Sequence, residues 1–284
     1  MKIYHMVLDL LVNPTKAEGK PWELFLLGAG YSFVAAFLAL WIFKSYISIV
    51  MIALTIIAAI PIMRKIINNE EEKERSEKNE KKLLKEHSKA IKAFMYLFLG
   101  FTFTFTMLYL FMPSAIVERM FSAQLETIIT VQSGGAPTGE FIGSLGIFSK
   151  IFMNNIKILL FCMAFSFFYG AGAIFILTWN ASVMATAIGS FIRNNLFYAK
   201  GMFDYFQVTM FGMLQYLLHG IPEIVAYFIG ALASGMVSFA LMKHDFMDDK
   251  FKNILKDVAG LLAIALAIIF IAAIIEVYIT PLII

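Results

Sequence analysis

Residues 258–280 read VAGLLAIALAIIFIAAIIEVYIT. A single acidic residue, Glu276, interrupts a run that is apolar on every side of a helix. A hydrocarbon core about 30 Å thick is crossed by roughly 20 apolar residues, each adding about 1.5 Å. A helix that is greasy all round needs a large protein interior or lipid around it. The chain holds several such helices in 284 residues: 24–43, 46–63 and 93–112 are also long and nearly free of charge. No soluble fold of this size has enough interior to hide them all. The fold class is therefore all-α, a polytopic transmembrane helical bundle.

Composition agrees. Hydrophobic residues make up 60% and charged residues 15%, against about 45–50% and about 25% in ordinary globular domains. The net charge of +3 is small, and no basic stripe with interleaved aromatics lies outside the apolar runs, which excludes nucleic acid as a partner. The single cysteine, Cys162, sits inside an apolar run, so there is no internal disulfide and no cysteine-based metal site. Asp9 and Glu18 precede a first apolar run too long for a signal peptide, so that run is expected to be a retained helix. The chain shows no P-loop, no G-x-S-x-G, no dinucleotide fingerprint, no CxxC and no H-E-x-x-H. The expectation is a protein that is not an enzyme and takes no cofactor and no metal.

Residues 1–20 are short and mixed, with Met6, Val7, Leu10 and Leu11 spaced for a helix lying on the membrane surface before a turn at Asn13 and Pro14. Pro21, Trp22 and Glu23 read as a helix start. Lys44 and Ser45 leave room only for a hairpin tip, so the first two spans are antiparallel neighbours. Residues 64–92 carry ten Lys and Arg residues, from Arg64 to Lys92. Positive residues at span ends gather on the cytoplasmic side, which places this loop and the N-terminus in the cytoplasm. Residues 1–92 thus form an N-terminal hairpin and charged loop, and residues 93–284 a membrane domain. The loop 113–150 is expected outside, with an interfacial helix over residues 117–131 and a flexible stretch over 133–139.

The second half is harder to read. Residues 151–178 can span, with Asn180 closing the span at the interface; 181–192 and 206–218 look too short to cross unaided. His219, Gly220, Ile221 and Pro222 interrupt the pattern, because proline disfavours helix at the residue before it. The expectation is broken or re-entrant helices here, a second charged loop near Lys243 to Lys256, five or seven crossings, and a C-terminus outside the cell membrane.

Polar groups inside apolar runs are costly, so they are the candidate site. His219 and Glu223, four residues apart, form either a buried pair lining a polar path or a structural set in which Glu223 caps a new helix. Asn154, Asn155 and Asn180 are candidates for bonds between helices. Gly170, Gly172, Gly230 and Gly235 allow close helix approach. Glu276 is expected to snorkel to the outer interface beside Tyr278.

In order, Asn154 and Asn155, Gly170 and Gly172, Asn180, then His219, Gly220 and Glu223, then Gly230 and Gly235 make the chain resemble the stage II sporulation protein M family, in its archaeal form. That family carries an Asn-Asn pair, a Gly-rich span ending in Asn-Gly, and a later His-Gly-x-x-Glu. The likeness covers residues 148–242, and Asn13, Pro14, Ala17, Glu18 and residues 21–23 are similar to the start of archaeal members. Ala181 departs from the family's usual glycine. The resemblance implies a membrane scaffold that anchors envelope partners. The expected partners are the lipid bilayer, membrane or envelope proteins, and further copies of the chain as a homo-oligomer. The alternative is a permease or channel-like subunit with a path at His219 and Glu223.

Overall fold

The computed structural model describes residues 21–76, 80–133, 141–169, 174–243 and 249–283. The surface-helix reading of residues 1–20 and the loop reading of residues 134–139 lie outside them, as do Gly170 and Gly172. The elements are α1 (Pro21–Ile42), α2 (Ile47–Ser76), α3 (Glu80–Phe111), α4 (Ser114–Met120), α5 (Ser122–Ser133), α6 (Phe141–Tyr169), α7 (Ile174–Leu196), α8 (Met202–Lys243), α9 (Asp249–Ile274), a π-helical turn (Ile275–Ile279) and α10 (Thr280–Ile283). Among the described residues, seven helices are long and apolar enough to cross a membrane. That is the upper of the two expected crossing numbers, and the protein is an all-α, multi-pass membrane protein.

The helices are built for lipid. In α1 the buried positions are Leu24, Gly28, Ser32, Ala35, Ala36 and Ala39, mostly small. Its exposed positions include Leu26, Phe33, Phe37 and Trp41. Between helices in lipid the drive comes from close packing and hydrogen bonds, since tails are as apolar as leucine. Small residues therefore face in and large apolar ones face out. A Cβ on Gly28 would lie 2.6 Å from the Leu97 carbonyl oxygen, and one on Gly100 would collide with the Phe25 carbonyl. Thr104 Oγ1 donates to the Ala29 carbonyl at 3.1 Å. These contacts hold α1 and α3 side by side and parallel.

A second parallel pair is α6 with α8. Three serines join them: Ser166 Oγ donates to the Ala231 carbonyl (2.6 Å), Ser234 Oγ to Met163 (2.7 Å) and Ser238 Oγ to Phe167 (2.5 Å). Helix α7 packs on α3, to which it runs parallel, and on α8, to which it runs antiparallel. Gly212 of α8 meets Ile192 and Phe191, and Gly220 meets Met184. Phe94 of α3 stacks on Phe228 of α8 with ring centroids 5.2 Å apart. One apolar core runs from Leu24 to Ile269.

Two arginines fasten the end of the bundle opposite the charged residues 64–92, here called the far end. Arg193 Nη1 donates to the carbonyls of Tyr109 and Met112, both at 3.1 Å, and Nη2 to Ser114 Oγ at 2.8 Å. It thereby satisfies free carbonyls at the C-terminal end of α3. Arg119 Nη2 reaches the Lys44 carbonyl at 2.6 Å, tying α4 to the α1–α2 tip.

Four local expectations are corrected. The span expected over residues 151–178 is instead α6, which ends at Tyr169, and Asn180 lies inside α7. Its Nδ2 bonds the Ile176 carbonyl one turn earlier, so it closes nothing. The short segments 181–192 and 206–218 are parts of the long helices α7 and α8. The break expected at Gly220 and Ile221 is absent: α8 runs unbroken through Pro222. A proline in a helix removes one backbone bond, whereas a full break in lipid would leave several groups without partners. The interfacial helix expected over 117–131 is two helices, α4 and α5, meeting at Phe121.

Candidate functional site

Glu223 is held by α8, and Asn155 by the middle of α6. Asn155 Nδ2 donates to Glu223 Oε1 at 2.5 Å. The phenol of Tyr227 donates to Asn155 Oδ1 at 3.1 Å. Both ends of one buried amide are therefore used, and the amide bridges two residues one helical turn apart on α8. Asn155 and Tyr227 are buried, at 4% and 1% exposure. Asn155 lies midway along the span Leu145–Phe167, so Glu223 lies near the middle of the span as well.

Asn154 is different from its neighbour. It is exposed on the other face of α6 and takes no part in the cluster. Of the three asparagines singled out, the structure brings only Asn155 to Glu223. Gly220 faces Met184, and Gly230 receives Leu159 and Met163 of α6, so both let a neighbouring helix side chain come close. Gly235 is buried in α8.

His219 lies one turn from Glu223 and Gln215 one turn further toward the far end. His219 Nδ1 and Gln215 Oε1 are buried and have no hydrogen-bond partner among the described residues. The capping alternative for this pair is corrected: Glu223 is mid-helix, and its partner is a side chain of α6 rather than a backbone N–H. Gln215, His219, Glu223 and Tyr227 form a continuous i, i+4 row on α8. The i, i+4 spacing that relates His219 to Glu223 also reaches Gln215 and Tyr227, so the sequence itself carries the signal for the whole row.

Glu276 sits in the π-helical turn at the end of α9. It lies within electrostatic reach of Glu223 and is the only charged group among the described residues that does. Glu276 is partly buried, as is Tyr278, in a turn that packs on α8 and α6. π-turns of this kind are frequent where a helix must re-aim a side chain at a site.

A second polar link escaped the sequence altogether. Ser48 Oγ donates to Gln124 Oε1 at 2.7 Å, and Gln124 Nε2 donates to Ser182 Oγ at 3.1 Å. Gln124 is fully buried and joins α2, α5 and α7. No local pattern marks it, because its partners are far away in the chain. Among the described residues no group of three His, Cys, Asp or Glu side chains is placed to hold a metal ion.

Residues 95–281 match the family described as Stage II sporulation protein M. The chain belongs to the stage II sporulation protein M family. The matched stretch takes in α6, α7, α8 and the π-helical turn, and thus every residue of the mid-span cluster. The chain is also similar to an uncharacterised protein of Methanocaldococcus jannaschii, with 31% identity over 138 residues, 47% of this chain and 71% of the relative. No solved structure matches.

Proposed function

We propose that this stage II sporulation protein M family member is a non-enzymatic scaffold subunit of an envelope-associated complex, and that the lipid-exposed face of α6 meets its partner. One observation supports this reading. The span of α6 is the least buried of the seven, yet its exposed face carries Asn154 and Lys157. These positions fall at i and i+3 and share a face. A lysine near the centre of a spanning helix costs about 2.5–3.5 kcal/mol against lipid. A neighbouring helix offering a carboxylate removes most of that cost. At a two-fold contact between copies the same face would set Lys157 against Lys157, so a different protein with an acidic span suits it better than a second copy.

The positive residues Arg64, Lys65, Lys89 and Lys92 at one end of α2 and α3 support a cytoplasmic location for that end. With seven crossings the residues after α9 then lie outside the cell membrane. Residues 1–92 act in this reading as an N-terminal hairpin and charged loop attached to the family domain of residues 93–284.

The test places a photo-crosslinking amino acid at Asn154 and, separately, at Phe161 in native membranes. The expected product is one discrete protein adduct, identified by mass spectrometry and lost in Lys157→Glu. Adducts with lipid alone, together with unchanged native-gel migration of Lys157→Glu, would contradict the scaffold reading.

A further inference from the structure

The mid-span cluster and the polar row on α8 serve no purpose in the scaffold reading. Glu223 lies near the middle of a membrane span, and its direct partner among the described residues is a neutral amide. The groups around it can be named helix by helix. From α6 come Asn155 and, beyond Tyr227, Cys162; from the π-helical turn comes Glu276; from α8 itself come His219 and Tyr227. The faces of α7 and α3 contribute Met184 and Phe94, which carry no charge. A carboxylate in such surroundings is neutralised by binding something positive, because the charge is costly at that depth. Asn155 is committed at both ends, and Tyr227 donates its proton to Asn155. Few free oxygens are left to build a metal-ion shell, which takes six or more oxygen ligands for the common hard cations. A proton needs only one lone pair.

We propose that Glu223 is a proton-binding site in the middle of the membrane, reached from the far end of the bundle along Gln215 and His219, with Asn155 and Tyr227 as positioning residues. His219 Nδ1 and Gln215 Oε1 are buried without hydrogen-bond partners among the described residues and lie on successive turns of the same helix face. Gln215 Oε1 can accept a hydrogen bond along that row, and the His219 ring nitrogen can accept one and, once protonated, donate one. The proton arrives as hydronium, which gives up one O–H bond and leaves as water. His219 accepts the proton and then passes it on, returning to the neutral imidazole. A new O–H bond forms on the Glu223 oxygen that Asn155 does not hold. No electrons change hands, and the Asn155 bond to the other oxygen persists through the transfer.

The test is labelling with dicyclohexylcarbodiimide, which reacts with protonated carboxyl groups in apolar surroundings, on the full chain in vesicles of neutral lipid. Adducts are mapped by mass spectrometry in the unaltered protein, so the result does not depend on a variant folding. The expected adduct is on Glu223. Its yield rises when the pH is lowered on the far-end side alone, and His219→Leu slows that response several-fold. Labelling that ignores far-side pH, or that responds only to the charged-end side, overturns the route. Protection by sodium or potassium ions at constant pH overturns the proton in favour of a metal cation. Adducts confined to Glu276 overturn the assignment to Glu223.

Discussion

Asn155 and Asn154 are adjacent in sequence and opposite in consequence. Asn155 donates to Glu223 and accepts from Tyr227 deep between α6 and α8, while Asn154 faces outward. Interhelical bonds in membranes contribute about 0.6–2 kcal/mol each. Asn155→Leu removes two and leaves a carboxylate and a phenol without partners. It is expected to lower stability by about 1–3 kcal/mol in reversible denaturation from mixed micelles. Asn154→Leu should lower it by less than about 0.5 kcal/mol, as for an exposed site outside any such network. Equal losses from the two would mean that the bridge contributes nothing. Cys162, fully buried between helices, should resist a maleimide in intact membranes and react once the protein is unfolded in dodecyl sulfate. At this scale the sequence revealed which residues were unusual but not which way they pointed. His219 and Glu223 stand out because charge is rare in the span. Nothing local separates Asn154 from Asn155, because only the α8 surface decides which of them is buried. Gln124 is beyond local reading for the same reason, with Ser48 and Ser182 at 76 and 58 residues' separation.

Helices were legible where they were uniformly apolar and misread where polar or small residues punctuated them. Residues 24–43 come out within a few residues of α1, and residues 258–280 fall on α9 and its π-turn, although α9 begins earlier, at Asp249. Asn180, Gly220 and Pro222 looked like ends, yet α7 and α8 pass through them. In water such residues end helices because solvent takes up the freed backbone groups. In lipid nothing replaces those bonds, so the helix persists. Glycine follows the same contextual logic. Gly100 lies against the Phe25 backbone, whereas a Cβ on Gly260 would meet nothing within 4 Å. Gly100→Val is expected to cost about 1–3 kcal/mol by forcing α1 off α3. Gly260→Ala should stabilise by about 0.5–1 kcal/mol, because it removes backbone freedom without adding a clash. Thermal unfolding of the two variants in one detergent checks both signs. A neutral Gly100→Val would refute the close α1–α3 contact.

For the molecule as a whole, the mid-span site and the outward face of α6 both require the long helices to cross the bilayer in alternating directions. The paired contacts of α1 with α3 and of α6 with α8, each parallel, and the antiparallel fit of α7 on α8 fix that alternation within the chain. Glu223 reaches mid-membrane, and α6 turns Lys157 toward a neighbour, only if α6, α7 and α8 all cross. The most direct measurement is cysteine labelling in sealed vesicles, in a background with Cys162 replaced by serine, using a membrane-impermeant maleimide. Ser45, Ser114 and Lys200, each changed to cysteine, should be labelled from one side, and Ser76 and Asp249 from the other. Labelling of Lys200→Cys and Asp249→Cys from the same side would show that α8 does not cross, and would contradict the account at its centre.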